Sequence, residues 1–390
     1  MFAVAAATGL LFSLVGSTPA NEEKNEDAQP GQKVERALPV NPEAVITLCV
    51  AYGTLTVRGS NKQELRVRSA DAEEISFRRI DKPRDPTVPA SRIDVMVLDR
   101  ASRANPRRDC QAIADVQMEV PATATVQVQT RDGDIHIAGV AAVYAGSQNG
   151  DIIIERATRL VEAGSVGGSI VLRDSSGRVN LSSAGGGVEA VRVRGADADD
   201  VFEVGTVSGD IQLDRISNPK VMAKTVNGSM TMSGALVKSG YYTFTNMTGD
   251  VLLALPHDAS FRLNAKVSEK HDIVSEFVLK YLGETPPPAP PQVYPQQRTT
   301  PAPPATQAPA TPPADLKKAP AAKDSKTPAP KEKDKPAAKG RVAPPGPLVT
   351  IERPTVVVAP YVRRVEAICG TGDATISVAS FGGTVRLKKL

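Results

Sequence analysis

The sequence predicts an all-β protein, a β-solenoid-like stack of short strands with a period of about 19 residues. Three observations predict it. Short runs of alternating apolar and polar residues recur along most of the chain, which is typical of half-buried strands. Gly-centred turns separate these runs at nearly regular intervals, the signature of a repeat architecture. Aromatic residues make up only 4% of the chain and Trp is absent, so we expect a core of Val, Ile and small residues.

Strand signals begin soon after a polar leader, which we place at residues 21–40. Leu55 and Val57 alternate with polar neighbours, and Leu65 with Val67 does the same. Two further runs surround Val95 and Met118. The prolines between Asp81 and Pro89 break the pattern, because proline cannot donate a ladder hydrogen bond. We therefore assign 41–283 to one β-repeat domain.

The repeat itself is clearest from residue 126 onward, where each turn has the form Asn, Asp, Ser, Thr or Gly before a central Gly. We predict that these glycines supply positive φ and that the Asp or Ser after them bonds to the turn's own amides. Asn-Gly is also the strongest hairpin signal, so an antiparallel β-sandwich of hairpins stays open as the alternative fold. The predicted structural turn glycines are Gly133, Gly150, Gly168, Gly187, Gly209, Gly228, Gly249, Gly372 and Gly383.

The N-terminus has the pattern of a secretory signal peptide over residues 1–20. Phe2 to Val15 is almost entirely apolar or small, and Ser17-Thr18-Pro19-Ala20 precedes an acidic, polar run. No Lys or Arg comes before the apolar stretch, so one element of the usual pattern is missing. We expect an exported protein, located in the periplasm, on the outer surface or outside the cell, with no membrane span in the mature chain.

A proline-rich segment interrupts the repeat. Residues 284–348 contain 19 of the 32 prolines, and such a composition cannot bury enough apolar surface to fold. We interpret it as a disordered insertion, with residues 349–390 completing the β-repeat domain. Nine Lys/Arg and three Asp/Glu lie between Lys317 and Arg341, so the rest of the chain has a net charge of 4 − 6 = −2. That balance argues against a nucleic-acid partner, although the Lys-rich tract could contact anionic envelope polymers.

Three cysteines in an exported chain allow at most one intrachain disulfide. Cys49 and Cys110 both flank the N-terminal β region, so we favour that pair, which leaves Cys369 over. No spacing resembles a metal site.

At this point the sequence resembles a known family. The motif Gly-Asp-Ile/Val with alternating hydrophobics, as in 150–152, 209–211 and 249–251, is similar to the bacterial putative-adhesin family, a β-repeat envelope domain otherwise known only as a domain of unknown function. The resemblance covers 44–283 and 365–390. It implies a β-solenoid-like envelope protein with a proposed adhesive role and no catalytic residues to carry over.

Four groups of residues are candidates for chemistry. The motif aspartates Asp134, Asp151, Asp210, Asp250 and Asp373 could form a cation-binding ladder, but turn capping is the simpler interpretation. Asp197, Asp199 and Asp200, with Asp174 or Glu189, could supply the acid pair of a glycan-cleaving solenoid, although no Arg or Lys is expected at matching positions of adjacent coils. His136, His257 and His271 share no motif with a nucleophile. Tyr242 and Phe244 should be core, with Tyr241 facing outward.

We therefore predict no catalytic, cofactor-binding or metal-binding residues and no enzymatic activity. The expected function is that of an adhesin or interaction scaffold that binds a cell-surface or envelope polymer or protein through repetitive polar faces. Two alternatives remain open, a polysaccharide-acting enzyme and a periplasmic sensor or scaffold that binds another envelope protein by strand addition.

Overall fold

The computed structural model describes residues 34–81, 88–100, 110–268, 270–285 and 362–390, which belong to one compact unit of the chain. The predicted signal peptide, the Lys-rich tract and nearly all of the proline-rich insertion lie outside these residues. The described part contains 26 strands and no helix, so none that could span a membrane.

The strands are, in chain order, β1 (Val34–Tyr52), β2 (Leu55–Ser60), β3 (Glu64–Ser69), β4 (Glu74–Arg79), β5 (Ala90–Leu98), β6 (Val116–Pro121), β7 (Thr125–Asp132), β8 (Ile135–Ala138), β9 (Ala142–Ser147), β10 (Ile152–Glu155), β11 (Leu160–Ser165), β12 (Ile170–Arg173), β13 (Arg178–Ser183), β14 (Val188–Arg194), β15 (Val201–Ser208), β16 (Ile211–Ser217), β17 (Lys220–Asn227), β18 (Met230–Ser233), β19 (Tyr241–Thr248), β20 (Val251–Leu255), β21 (Phe261–Ser268), β22 (Ile273–Ser275), β23 (Lys280–Thr285), β24 (Val362–Cys369), β25 (Ala374–Ser380) and β26 (Val385–Lys389).

From β7 to β20 the chain winds through two sheets, which we call sheet A (even-numbered strands) and sheet B (odd-numbered strands). Each strand pairs in parallel with the strand two places along the chain, as β10 does with β8 and β12, and β11 with β9 and β13. One coil is therefore one sheet B strand followed by one sheet A strand. This parallel stacking confirms the solenoid-like fold and rules out the hairpin sandwich for the repeat.

The core lies between the two sheets and is built from aligned rows of side chains. Alternate residues of each strand are buried, for example Ile152 and Ile154 of β10, which lie beside Ile170 and Leu172 of β12. In sheet B, Val179 of β13 lies beside Phe202 of β15. Because one short coil cannot cover its own apolar face, each coil depends on both neighbours for burial.

The two ends of the stack depart from chain order. In sheet B the strand order is β4, β5, β1, β7 and onward to β19, then β25, β21, β24 and β23. The strands of sheet A likewise depart from chain order at both ends, since β6 lies beside β2 and β26 lies between β20 and β22. The N-terminal coil β1–β2 and the C-terminal coil β25–β26 are thus both inside the stack.

Antiparallel strands lie at three of the four described sheet ends, whereas at the C-terminal end of sheet A the outermost strand, β22, pairs in parallel with β26. Of the described pairs, only β1–β3, β3–β6, β4–β5, β21–β24 and β23–β24 are antiparallel, and all lie toward the ends. Such pairs interrupt the parallel repeat, which would otherwise offer an edge for further coils to add. Along the chain, the proline-rich segment stands between β23 and β24, and residues 286–361 lie outside the described part.

Two sequence predictions need correction at the N-terminal end. Residues 34–40, assigned to the flexible leader, begin β1 and pair with β3 between Val34 and Pro39. Strand β4, which was not predicted, pairs with β5. Its sequence does alternate, with Ile75 buried and Phe77 half-buried, but the run is only six residues long and ends in two arginines.

Cys49 on β1 and Cys110, just before β6, form a disulfide with a Cα–Cα distance of 4.8 Å. The bond closes a segment with a sequence separation of 61 residues. Replacing both cysteines by Ser is expected to lower the free energy of unfolding by about 4 kcal/mol, because the unfolded chain regains the entropy of that loop. Denaturant titration of the double variant measures this. The matched control is Cys369→Ser, since Cys369 has a free thiol. An equal loss of unfolding free energy in the control would contradict the stabilising role of the Cys49–Cys110 disulfide.

Candidate functional site

The predicted turn glycines form a column, but for a different reason than expected. Viewed along the stack, each glycine lies against the carbonyl of the glycine one coil earlier, so that a Cβ on Gly168 would overlap the backbone of Gly150. Most of these glycines have negative φ; only Gly228 and Gly249 of the column from Gly133 to Gly383 have positive φ. The close approach of neighbouring backbones, and not φ, therefore requires glycine here.

Two of the predicted turn glycines do not belong to the column. Gly186, not Gly187, occupies it, since a Cβ on Gly186 would meet the backbone of Gly168, whereas one on Gly187 would lie 3.2 Å from the Asp210 carbonyl oxygen. Gly372 lies in the turn from β24 to β25, and its φ of 76° agrees with the prediction of a turn glycine with positive φ. The members are Gly133, Gly150, Gly168, Gly186, Gly209, Gly228, Gly249 and Gly383.

A buried polar residue lies three positions before each column glycine, and in most coils it bonds to the turn. The Ser165 hydroxyl accepts a hydrogen bond from the Gly168 amide at 2.9 Å and donates to the Gly150 carbonyl at 3.1 Å. It therefore joins its own turn to that of the previous coil. The Thr130 hydroxyl, in contrast, has no hydrogen-bond partner within the described residues. This row was not predicted from the sequence and consists of Thr130, Ser147, Ser165, Ser183, Thr206, Thr225, Asn246 and Ser380.

The motif aspartates connect coils and do not cap their own turns. The Asp151 carboxylate accepts a hydrogen bond from the Ser169 amide of the next coil at 2.7 Å, and Asp210 accepts from the Ser229 amide at 2.7 Å. Asp134 and Asp250 make the equivalent bond. Asp373 lies outside this row, and the described residues contain no cluster of three or more possible metal ligands.

The three aspartates of the 197–200 loop have separate environments. Asp200 is nearly buried and accepts hydrogen bonds at 2.8 Å from the amides of Ala196 and Asp197, so it caps the loop. The two acids suggested as its partners are already ion-paired: Asp174 with Arg192, and Glu189 with Arg173 at 3.2 Å. Within the described residues, no contact brings two of these carboxylates together.

The aromatic cluster divides as its sequence alternation predicts. Tyr242 and Phe244 are buried, while Tyr241 is 62% exposed. The Tyr242 hydroxyl accepts a hydrogen bond from the Val237 amide at 2.7 Å, and burial raises its pKa. His136 faces outward from sheet A between the buried Ile135 and Ile137.

One corner of the stack has a row of charged residues, including arginines at matching positions of adjacent coils, which was not expected from the sequence. The parallel pairing of Glu155 with Arg173, Arg173 with Val191 and Val191 with Asp214 places the residues that follow them in register. These are Arg156, Asp174, Arg192 and Arg215, which we call the arginine column. The prediction that no arginines lie at matching positions of adjacent coils was therefore wrong. Because the loops between coils differ in length, these aligned positions are not equally spaced in the sequence.

All four residues of the arginine column adopt the left-handed backbone region, with φ between 51° and 54°. Arg156 and Asp174 directly follow β10 and β12, whereas Arg192 and Arg215 lie within β14 and β16. The column is continued by glycine on both sides, Gly139 with φ of 72° and Gly234 with φ of 128°. Left-handed φ costs an ordinary residue roughly 1–2 kcal/mol, which glycine avoids.

The column forms one wall of an open groove of about 410 Å³. Arg194, Thr158 and Ser217 also line it. The charges are mixed: Arg156 pairs with Glu155 at 3.2 Å and Arg215 with Asp214 at 2.8 Å. Arg192 donates through two nitrogens to Asp174, with Nη2–Oδ2 at 2.7 Å. The hydrogen bond from Arg192 lowers the pKa of the Asp174 carboxyl, with smaller contributions from Arg156 and Arg215.

The opposite corner presents a second repeated row. The residue that follows each buried Ser, Thr or Asn is exposed, and in six consecutive coils it is apolar. We call this row the apolar column: Val166, Ala184, Val207, Val226, Met247 and Phe381. The stack thus aligns exposed side chains of like chemistry over many coils at both corners.

Comparison with known proteins agrees with this architecture. Residues 113–277 match the model of the Toastrack family, DUF4097, which confirms the resemblance drawn from the sequence. The match begins after the N-terminal strands that we had included in it. No curated protein matches significantly.

Several solved structures are distantly similar. A putative adhesin from Parabacteroides merdae is 8% identical, with a TM-score of 0.37, and the likeness covers 58% of this chain and 90% of that one. A putative adhesin from Parabacteroides distasonis has 10% identity, a TM-score of 0.34 and coverages of 58% and 91%. A putative lipid binding protein from Parabacteroides distasonis has 13% identity, a TM-score of 0.31 and coverages of 58% and 91%.

Proposed function

We propose, from the Toastrack-type stack of residues 113–277, that this chain is an exported envelope protein that binds an extended partner along its repeated outer surface. One observation supports the proposal above the others: the coil register aligns exposed side chains of like chemistry into continuous columns. A column of this kind suits a partner that is itself extended, such as a surface polymer, better than a small molecule.

The rigidity of the stack supports the same function. Each coil is joined to the next by parallel strand pairing in both sheets, by an aspartate-to-amide bond in several coils and by a buried hydroxyl. The outer columns are therefore held at a fixed spacing of about 4.8 Å per coil. A rigid array loses little conformational entropy on binding, so many weak contacts can add up to a stable complex.

The test combines binding with location. The purified full chain is incubated with envelope preparations separated into surface polysaccharide, peptidoglycan sacculi and outer membrane, and co-sedimentation is measured. We expect binding to one polymer fraction that weakens a few-fold with each single substitution along a column, because the contacts are shared. Binding that one substitution abolishes would indicate a single pocket and contradict the proposal.

The location of the chain separates an adhesin from a scaffold inside the envelope. Intact cells are treated with a membrane-impermeant amine label, and the protein is then isolated. Labelling of Lys220 and Lys224, which are exposed on sheet B, is expected for a surface adhesin. Labelling only after the cells are opened would exclude the adhesive role and leave an internal binding role.

A further inference from the structure

We propose that the arginine column binds an acidic polysaccharide, with the guanidinium groups of Arg156, Arg192, Arg194 and Arg215 contacting carboxylates of the polymer in the groove they line. This inference rests on the proposed binding function and assigns its site and its class of ligand.

The backbone of the arginine column is strained. Four consecutive positions of the column retain long or charged side chains at φ of 51° to 54°, whereas the same bend is made by glycine at both ends of the row. Glycine would relieve the strain at each of them. Strain that stability does not require is a reason to look for a function of the side chains.

A carboxylate of the chain itself already occupies the column. Asp174 lies between Arg156 and Arg192, and its carboxylate accepts hydrogen bonds from two nitrogens of Arg192, the forked geometry that suits a carboxylate. The chain therefore shows how these arginines hold a carboxylate. The pKa of Asp174 is lowered by Arg192 and, more weakly, by Arg156 and Arg215, so all three guanidinium groups act on the same place.

The arginines of the column are available to an external ligand. The ion pairs Arg156–Glu155 and Arg215–Asp214 are exposed, with both arginine side chains 61% accessible. Pairs of this kind contribute little in water, so an incoming carboxylate can replace the internal partner. Arg194 is also exposed and has no ion pair within the described part of the chain.

The groove favours a glycan over a nucleic acid. The hydroxyl groups of Thr158 and Ser217 line it beside the arginines and can bond to sugar hydroxyls. No aromatic side chain lines it, so the stacking platform that single-stranded nucleic acids use is missing from the groove. The column spans three coil steps, roughly 14 Å, which lets several sugar units bind at once.

The test measures binding of the full chain to polygalacturonate fragments, with neutral dextran and a single-stranded DNA oligonucleotide as alternative ligands. The triple variant Arg156→Gln, Arg194→Gln, Arg215→Gln is expected to bind polygalacturonate at least ~30-fold more weakly. The matched control Lys220→Gln, Lys224→Gln, Lys266→Gln removes the same charge from exposed positions of sheet B and should change binding less than about threefold. All variants keep the Lys-rich tract, so its contribution is constant.

Two further variants separate ligand binding from folding. Asp174→Asn removes the internal competitor and should strengthen polygalacturonate binding about threefold, an effect that a damaged fold would not produce. Arg156→Gly should raise the thermal midpoint while it weakens binding, because it removes both strain and a contact.

The outcomes are distinct. Equal weakening by the lysine control, no change with the triple variant, or equally tight binding of dextran would overturn the assignment of the column. DNA bound through the same arginines more tightly than polygalacturonate would overturn the choice of a glycan. If the full chain binds no envelope fraction at all, the proposed function fails; if it binds one and the arginine variants bind equally well, only this inference fails.

Discussion

Gly186→Ala is expected to lower the free energy of unfolding by ~3 kcal/mol or more, whereas Gly187→Ala costs about 1 kcal/mol or less. A Cβ on Gly186 would overlap the Gly168 carbonyl group and lie 2.7 Å from the Ser169 amide nitrogen. These are backbone atoms of a paired coil and cannot rotate away. The two coils would have to separate and lose the strand pairs beside the turn.

The neighbouring glycine is a close control, because it has the same residue type and nearly the same surroundings. A Cβ on Gly187 would lie 3.2 Å from one carbonyl oxygen, which a small shift relieves. A second control is Gly205→Ala in β15, where no heavy atom lies within 4 Å of the new carbon. Denaturant titration of the three variants gives the comparison. Equal losses for Gly186 and Gly187 would contradict the column.

The sequence was sufficient for the class of fold but not for the exact register. The alternation of apolar and polar residues and the period of the turns indicate stacked strands, because alternate residues of each strand are buried. The pattern Gly186-Gly187-Val188 does not itself show which of the two glycines approaches the previous coil, and the structure places Gly186 there. The polar residue three positions earlier gives the right answer: Ser183 precedes Gly186 by three, as Ser165 precedes Gly168. This three-residue spacing follows from the hydrogen bonds by which the Ser165 and Ser183 side chains join neighbouring turns.

The candidate site was harder to foresee. Arg156, Arg192 and Arg215 are separated by 36 and 23 residues along the chain, and the loop at 195–200 lengthens one coil. Their alignment follows from strand pairing in three dimensions, which a count of residues cannot supply. An arginine in the sequence also does not indicate that its backbone adopts left-handed φ. The fifth residue from the start of each sheet A strand, compared coil by coil, would have shown the alignment.

The positions of the terminal coils could not be read from the sequence either. The C-terminal motif indicates more coils of the same design, and the simplest expectation adds them after the last earlier coil. Instead β25 pairs with both β19 and β21, and β26 pairs with β20 and β22. Side-chain alternation is the same for either strand order, so it does not distinguish between them.

A truncation after Thr384 is therefore expected to damage the interior of the stack and not merely its end. It removes β26, including the buried Val385 and Leu387, whose burial contributes about 1.5–3 kcal/mol each. It also breaks the pairing of both β20 and β22. We expect a loss of at least ~4 kcal/mol in the free energy of unfolding, measured by denaturant titration.

The strands in which amide hydrogen exchange increases give the more specific test. Amide hydrogen exchange should increase in β20 and in β22, on both sides of the missing strand, although β22 precedes β26 by more than 100 residues in the chain. Strands in the middle of the stack, such as β10 and β12, should keep their protection, because each coil contacts only its neighbours. Removing Leu390 alone is the control, since that side chain is 65% exposed. If β22 keeps its protection after the truncation, β26 does not lie between β20 and β22, and the interlocked order of the C-terminal coils is wrong.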